Sequence, residues 1–414
     1  MSGGAILSET STSSPASRPS RLPITIALCV TVFLLGLSAA SIQPYRGIVA
    51  VDNLGMSNST FALIASLSSV ATAAVSLLIG HFSDRAPDRR IGVIVCGTIA
   101  AIGYGLIFLV PTQLSYIISF CVILPLGGAL FSQTFSFARV YFDRTRPQRS
   151  EFLMSAIRTL FSLAWVLAPG IVGFVAAYYS VFGVFAAAAT AQLACALIFA
   201  SLFLFKETKI GNAPRHTAEL APIRSSMPPG RIVGIVGVVF LRTAIFIHLL
   251  TIPLLLTNNF HGTVTDVSIN AAVCAGLEVP FMLAWGWAAT RFSKEPVIAV
   301  SALIYALYLV LLYFAHSVHD VLWLQGLNAI GTAALVSLPI SYMQDSIRGR
   351  VGLSTALLDS VTVIAQLMAS TIFAIFSTGN NYMPVVMAGA AVTVLGAAAL
   401  TFSKLQQRQV PAAT

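Results

Sequence analysis

Long apolar runs leave this chain few ways to fold. Twelve stretches of about 20 residues or more are almost free of charge, and that is the length needed to cross a bilayer core of about 30 Å. They run roughly over 23–46, 58–83, 91–110, 113–141, 152–178, 180–205, 231–257, 265–291, 296–315, 320–345, 352–376 and 381–403. In lipid every backbone polar group must be satisfied internally, so a spanning segment is a helix or part of a closed barrel. The runs lack the two-residue alternation of barrel strands, so twelve transmembrane helices are expected. With 57% apolar and 9% charged residues among 414, the chain falls far from the roughly 25% charged composition of soluble domains.

The charged residues that remain are not scattered. The chain carries a net charge of +9, and its basic residues gather at alternate helix ends. Arg18 and Arg21 precede the first helix. Arg85, Arg89 and Arg90 follow the second, and Arg139, Arg144, Arg146 and Arg149 mark the end of the fourth. Basic residues follow the sixth (Lys206, Lys209), eighth (Arg291, Lys294), tenth (Arg348, Arg350) and twelfth (Lys404, Arg408) in the same way. By the positive-inside rule this predicts both termini in the cytoplasm, and the alternation supports the count of twelve. The net charge therefore reports topology and not nucleic-acid binding.

The longest loop, 206–230, is rich in proline and charge and separates six helices from six. The expected organisation is a polar tail over 1–22, a six-helix bundle over 23–205, the linker, a second bundle over 231–403 and a short tail over 404–414. The first 22 residues, rich in Ser, Thr and Pro, read as disordered and lack the order of a cleaved signal. Two echoes join the halves. "GHFSDRAPDRR" (80–90) has a weaker counterpart in "GWAATRFSKEP" (286–296). "FDRTRPQRS" (142–150) returns as "MQDSIRGRVG" (343–352), about 201 residues later. Two parallel six-helix repeats follow.

On these segments the chain resembles the major facilitator superfamily. The fold so implied is an all-α membrane protein of twelve transmembrane helices in two pseudo-symmetric six-helix bundles. "GHFSDRAPDRR" resembles that superfamily's loop between helices two and three. There Gly80 would allow tight helix packing, Asp84 and Arg85 would form a charge pair, and Arg89 and Arg90 would sit at the membrane surface as parts of a cytoplasmic gate. "AGLEVP" (275–280), "SLAWVLAP" (162–169), "LQGLNAI" (324–330) and "FARVYFDRT" (137–145) resemble the bacterial sugar efflux transporter family. Arg242 and Asp359 correspond to no feature of that family.

Charge at membrane depth is where chemistry is expected, because a charge there costs about 2.5–3.5 kcal/mol or more. Five such residues stand out: Arg46, Arg158, Arg242, Glu278 and Asp359. Arg46, near the outer end of helix one, can reach water by snorkelling. Glu278 lies near mid-depth in helix eight and Arg158 lies in helix five, their heights differing by about 6–8 Å at about 1.5 Å per residue. The resemblance places helices five and eight side by side, so Glu278 and Arg158 are expected to pair. A carboxyl withdrawn from water favours its proton and a neighbouring guanidinium favours the bare carboxylate, so alternation between the two would couple transport to protons. A substrate ligand and a permanent bridge are the other readings of Glu278. Asp359 lies 201 residues after Arg158, at the repeat-equivalent position, and Arg242 is expected to partner Asp359 or Glu278.

The resemblance places Gln43, Gln133, Gln325 and Asn328 on cavity-lining helices. Amides donate and accept hydrogen bonds, which suits sugar hydroxyls, while helix-to-helix bonding is the plainer role. Trp165 offers a flat face to a sugar ring. His248 titrates near neutrality when solvated, but a lone helical histidine more often has a structural role. Pro169 and Gly170 in "APGIVG" resemble, incompletely, a motif of proton antiporters, and helix four lacks the mid-membrane arginine of drug antiporters.

Cys29, Cys96, Cys121, Cys195 and Cys274 fall inside the predicted helices without metal-ligand spacing, and they read as core thiols. No metal or cofactor is expected. No nucleophile elbow, phosphate-cradling loop or HExxH motif is present, which argues against an enzyme and against ATP-driven pumping. The expected function is proton-coupled export of small sugars or glycosides across a bacterial inner membrane by a monomer. A drug or other small-molecule/proton antiporter is the alternative, and a membrane sensor or scaffold is a distant third.

Overall fold

The structure, a computed structural model, describes residues 22–83, 88–210, 229–346 and 351–409. Twelve helices are long and apolar enough to cross a membrane. In chain order they are α1 (Pro23–Ile42), α2 (Asn58–Ile79), α3 (Arg89–Leu109), α4 (Gln113–Thr145), α5 (Pro147–Tyr178), α6 (Gly183–Leu204), α7 (Gly230–Asn259), α8 (Val264–Arg291), α9 (Lys294–Tyr313), α10 (Val318–Asp345), α11 (Leu357–Phe376) and α12 (Met383–Gln407). The chain is a multi-pass membrane protein.

Local chemistry explains where helices break. The first helix ends at Ile42, short of the expected 46, and a turn carries the chain through Gln43–Tyr45. Pro44 is the cause, since proline lacks an N–H and biases the preceding residue away from helix. A short helical turn, Arg46–Ile48, and a π-helical turn, Val49–Asn53, follow. In α4 a π turn at Ser119–Ile123 leads into Leu124–Gly127, and regular helix resumes at Leu130. Pro125 and the Gly127–Gly128 pair account for that irregularity. In α7 a π turn at Leu255–Asn259 follows Pro253.

Within the N-terminal half α1 packs along α5 and α6, and α3 along α6; in the C-terminal half α7 packs along α12, α9 along α10 and α12, and α8 along α10. The halves meet through α5 against α8 and α2 against α11. At the first of these contacts Gly173 leaves no room for a β-carbon against the Ser268 side chain, so glycine permits the approach of α5 to α8.

The two ends of the molecule differ. One end carries both termini; the other, here called the far side, carries the turns after α1, α7 and α11. Hydrogen bonds between the halves gather on the far side. Tyr45 bonds Ser268. The Asp52 carboxylate accepts from Thr257 Oγ1 and Asn258 Nδ2, both at 3.0 Å. Asn58 donates to the Gly379 carbonyl at 2.8 Å and accepts from the Tyr382 hydroxyl at 3.0 Å. A large hydrophobic cluster spans both halves there, with Tyr45, Phe61, Leu254, Phe373 and Tyr382 in it. On the terminus-bearing side each of the following ion pairs stays within one half: Arg139 with Asp143 and Glu151, Lys294 with Asp345, and Lys404 with Glu295. The second hydrophobic cluster, around Leu28, Phe137 and Phe199, belongs to the N-terminal half alone.

The outer surface is greasy, as lipid demands, with Leu77, Leu109 and Leu283 exposed. Trp323 lies near the far-side end of α10, and Trp287 near the opposite end of α8 with the Arg291 guanidinium 4.5 Å over its ring. Both positions suit the aromatic belts of a membrane protein.

Candidate functional site

A polar cluster fills the interior of the C-terminal half, and it is assembled from α7, α8, α9 and α10. Glu278 is half-buried on α8. One turn earlier Cys274 directs its thiol at Glu278 Oε1, 3.8 Å away. Asn328 on α10 donates Nδ2 to Cys274 Sγ at 3.2 Å and to Gln325 Oε1 at 2.7 Å. Gln325 in turn donates to the Val321 carbonyl at 3.2 Å. Thr332 lies beside both Cys274 and Glu278. A hydrogen-bonded chain therefore runs from the carboxyl near mid-depth along α10 toward the far side.

Behind this chain stand Tyr305 and Tyr308, both fully buried on α9. They are three residues apart and so share one face of their helix. Tyr305 lies within electrostatic reach of Glu278 and Cys274, and Tyr308 lies beside Gln325. The half-buried His248 ring of α7 is 6.0 Å from Tyr305 and 5.7 Å from Tyr308, centroid to centroid. Gly331 of α10 lets α9 come close at Tyr305, since a β-carbon there would collide with that residue's backbone. The arrangement offers one carboxyl, two amides, two phenols, a thiol, a hydroxyl and an imidazole, with no cation among them.

The structure brings together some expected residues and separates others. Glu278, Gln325 and Asn328 share one network. Glu278 and Arg158 do not pair. Arg158 is exposed on α5 and lies within electrostatic reach of Glu151, toward the terminus-bearing end. The rise along two helices limits only height; the rotation of each helix decides which way a side chain points, and Glu278 points into its own bundle. Arg242 is half-buried with its Nε out of reach of any partner, and Asp359 is exposed on α11; no ion pair joins Arg242 to either carboxylate. Trp165 is exposed on α5. Gln43 is half-buried in the turn that ends α1. Gln133 is buried against α3 at Gly92.

The expected gate also changes. Asp84 and Arg85 lie outside the described residues, and Gly80 belongs to the last turns of the helix Asn58–Ser83. Arg89 donates to the Ser136 hydroxyl at 2.6 Å. Arg90, at the start of α3, is not exposed to solvent: it is 4% exposed. Its guanidinium grips Asp88 at 2.5 Å and donates to the Leu202 carbonyl at 2.8 Å and Thr208 Oγ1 at 2.9 Å. It also lies 4.1 Å over the Phe203 ring. Arg90 thus ties the start of α3 to the end of α6 within one half. Burial works against the Asp88 charge, but the bonds and charge of Arg90 outweigh it and hold that carboxyl below its ordinary range. Arg46, expected to snorkel, instead lies 5.1 Å over the Phe120 ring, its Nε and Nη2 buried without a partner.

Tyr305, Tyr308 and Thr332 are not among the residues that the sequence singles out, and Cys274 reads there as a core thiol. A signal was available in "YALY", whose two phenols sit at helical spacing in a span that otherwise has few polar groups. All five cysteines are free. Among the described residues no group of His, Cys, Asp or Glu is placed to hold a metal ion.

Two repeats of six spanning helices around polar groups at mid-depth define a class of membrane carrier that moves small molecules by alternating access. The chain belongs to the Major Facilitator Superfamily: the model of that family matches residues 28–241 and again 234–413, about one match per half. It is a secondary transporter, not an enzyme. It is 26% identical over 377 residues to a putative sugar efflux transporter of Deinococcus radiodurans, covering 90% of this chain and 96% of that one. It is 25% identical to sugar efflux transporter B of Salmonella typhimurium, with 89% and 92% covered. Among solved structures, the peptide transporter POT in complex with alafosfalin superposes with a TM-score of 0.75 at 15% identity, over 93% of this chain and 95% of that one. The nucleoside transporter NupG gives 0.74 at 13%, over 92% and 99%. These likenesses speak for the fold.

Proposed function

We propose that this chain is a proton-coupled exporter of small sugars or glycosides, working by alternating access in a bacterial inner membrane with both termini in the cytoplasm. The observation that carries the reading is the chemistry of the C-terminal cluster. It presents neutral donors and acceptors, Gln325, Asn328, Thr332 and two phenols, around one carboxyl. Such a set matches a neutral polyhydroxy ligand, whose many hydroxyls each donate and accept. The relatives named above as sugar efflux transporters support the same substrate class. Glu278 is the coupling carboxyl in this reading, since it is the acid of the cluster.

With the termini in the cytoplasm, the far side faces outward. The gathering of inter-half bonds there supports an inward-open state, the one in which an exporter loads its cargo. Export then requires the Asp52, Asn58 and Tyr45 contacts to part as the opposite ends close.

The test is counterflow in liposomes with the purified protein and a panel of radiolabelled monosaccharides, disaccharides and lipophilic drugs. Exchange of one or more sugars is expected, with uphill movement when a pH gradient is imposed. A panel in which drugs exchange and sugars do not overturns the substrate reading in favour of a drug antiporter. Sugar exchange that no pH gradient drives overturns the coupling.

A further inference from the structure

Among the described residues of the C-terminal half, the buried polar atoms without a hydrogen-bond partner include His248 Nδ1, Tyr305 Oη and Asn328 Oδ1, and Tyr308 Oη, which lies against Gln325 without a formed bond. Tyr305, Tyr308 and Asn328 are completely buried. Leaving one such atom unsatisfied costs about 1–3 kcal/mol, so groups of this kind are not expected to stay dry. They converge. Both phenols flank the His248 ring. Tyr308 lies beside Gln325, which Asn328 bonds. A buried water typically makes about three hydrogen bonds to groups of this kind.

We infer that His248, Tyr305, Tyr308 and Asn328 enclose an internal water site behind Glu278, and that this hydrated pocket, not an arginine, exchanges the Glu278 proton. The inference rests on Glu278 being the coupling carboxyl. Three features bear on it. Tyr305 neighbours both Glu278 and His248, within electrostatic reach of the first and 6.0 Å from the second, ring centroid to ring centroid. His248 is the group in the pocket that can accept a proton and become a cation. Among the described residues no ion pair joins Glu278 to a basic group: Arg158 lies toward the terminus-bearing end of α5, and Arg242 on α7 forms no ion pair with it.

In the transfer the Glu278 O–H bond breaks, water carries the proton, and an N–H bond forms at His248 Nδ1. A carboxylic acid and a neutral imidazole become a carboxylate and an imidazolium, so the pocket's net charge is unchanged. The reverse step restores both. Cys274 and the two phenols bond or flank the path and finish each transfer with their own protons.

The test needs no substrate. The wild-type protein is placed in liposomes of phosphatidylethanolamine and phosphatidylglycerol, and its carboxyl C=O stretch is followed by infrared difference spectroscopy against pH. The Glu278 band is the one missing in Glu278→Gln. The double variant Tyr305→Phe/Tyr308→Phe and the single variant His248→Asn are expected to move its midpoint by about one pH unit or more, a tenfold change in proton affinity. Phenylalanine keeps both rings, so a packing role would leave the midpoint in place. A midpoint unchanged in both variants overturns the inference and leaves the coupling role of Glu278 standing. If Glu278→Gln removes no titrating band, the coupling role falls and the inference falls with it.

Discussion

The two halves hold equivalent positions in opposite ways. Arg46 precedes His248 by 202 residues and Tyr104 precedes Tyr305 by 201, so the repeat relates the pairs. In the N-terminal half the short helical turn after the first helix opens with a permanent cation, Arg46, over the Phe120 ring, with Tyr116 bonding its backbone carbonyl at 2.9 Å. In the C-terminal half the equivalent position carries an imidazole that can be neutral or charged. The same division recurs at Arg158 and Asp359. The half with fixed charges also contains, among the described residues, the tightest buried ion pair, Arg90 with Asp88. The polar cluster of the other half is neutral apart from its titratable carboxyl, with Arg242 of α7 forming no ion pair to it. On the proposed function one half stands as a scaffold and the other changes protonation, although one sequence repeat relates the two.

The largest expected effect tests the changing half. Glu278→Gln is expected to reduce pH-gradient-driven transport in vesicles to background while the protein still folds and inserts; full uphill transport would remove Glu278 from coupling. Next comes the scaffold half. Arg90→Ala leaves the Asp88 carboxylate buried and unpaired, and removal of one partner of such a pair costs about 3–5 kcal/mol. Thermal unfolding of the variant in detergent is expected well below wild type, and an unchanged Tm would show that the ion pair is not a strut.

The same pair predicts a pH dependence. The Asp88 carboxyl is held below its ordinary range, so its contribution is full above the unfolded value of about 3.9. It is lost as pH falls through the lower folded value. Wild type is expected to lose thermal stability in that acid window, and Asp88→Asn is expected to flatten this part of the profile. A smaller effect separates the two sets of amides. Asn328→Ala is expected to weaken sugar binding by about 1–3 kcal/mol, whereas Gln133→Ala, packed against α3, is expected to change affinity little. Equal losses in equilibrium binding would place both in one site. The smallest effect is expected at Arg158. Because it does not pair with Glu278 here, Arg158→Ala is expected to leave the pH midpoint of transport within about 0.3 unit, in keeping with the weakness of exposed charges. A larger shift would show that the two meet in another state of the cycle.

Much of the architecture was legible in the sequence because a bilayer imposes rules that act along the chain. Length and apolarity mark a span, and basic residues mark its ends. Twelve spans followed, with boundaries displaced mainly where Pro44, Pro125 and Pro253 break regular helix. Of the site, Glu278, Gln325 and Asn328 could be singled out, since polar groups are costly at membrane depth. The choice of Arg158 as partner failed because height along a helix is readable and rotation about its axis is not. Tyr305 and Tyr308 passed unnoticed because a phenol counts as apolar until its hydroxyl is seen buried. Arg90 read as a surface charge because its partners Leu202 and Thr208 lie more than a hundred residues away.

By itself, then, the sequence determined how many times this chain crosses a membrane, its two-fold repetition and which costly groups lie at depth. Those properties depend on local hydropathy and on spacing. The tertiary structure alone decided that the halves are bonded to each other on the far side, that Asp88 and Arg90 brace one half, and that Glu278 turns toward thiol, amide and phenol. These depend on how each helix is rotated against its neighbours, and that is settled by the packing of side chains from all parts of the chain.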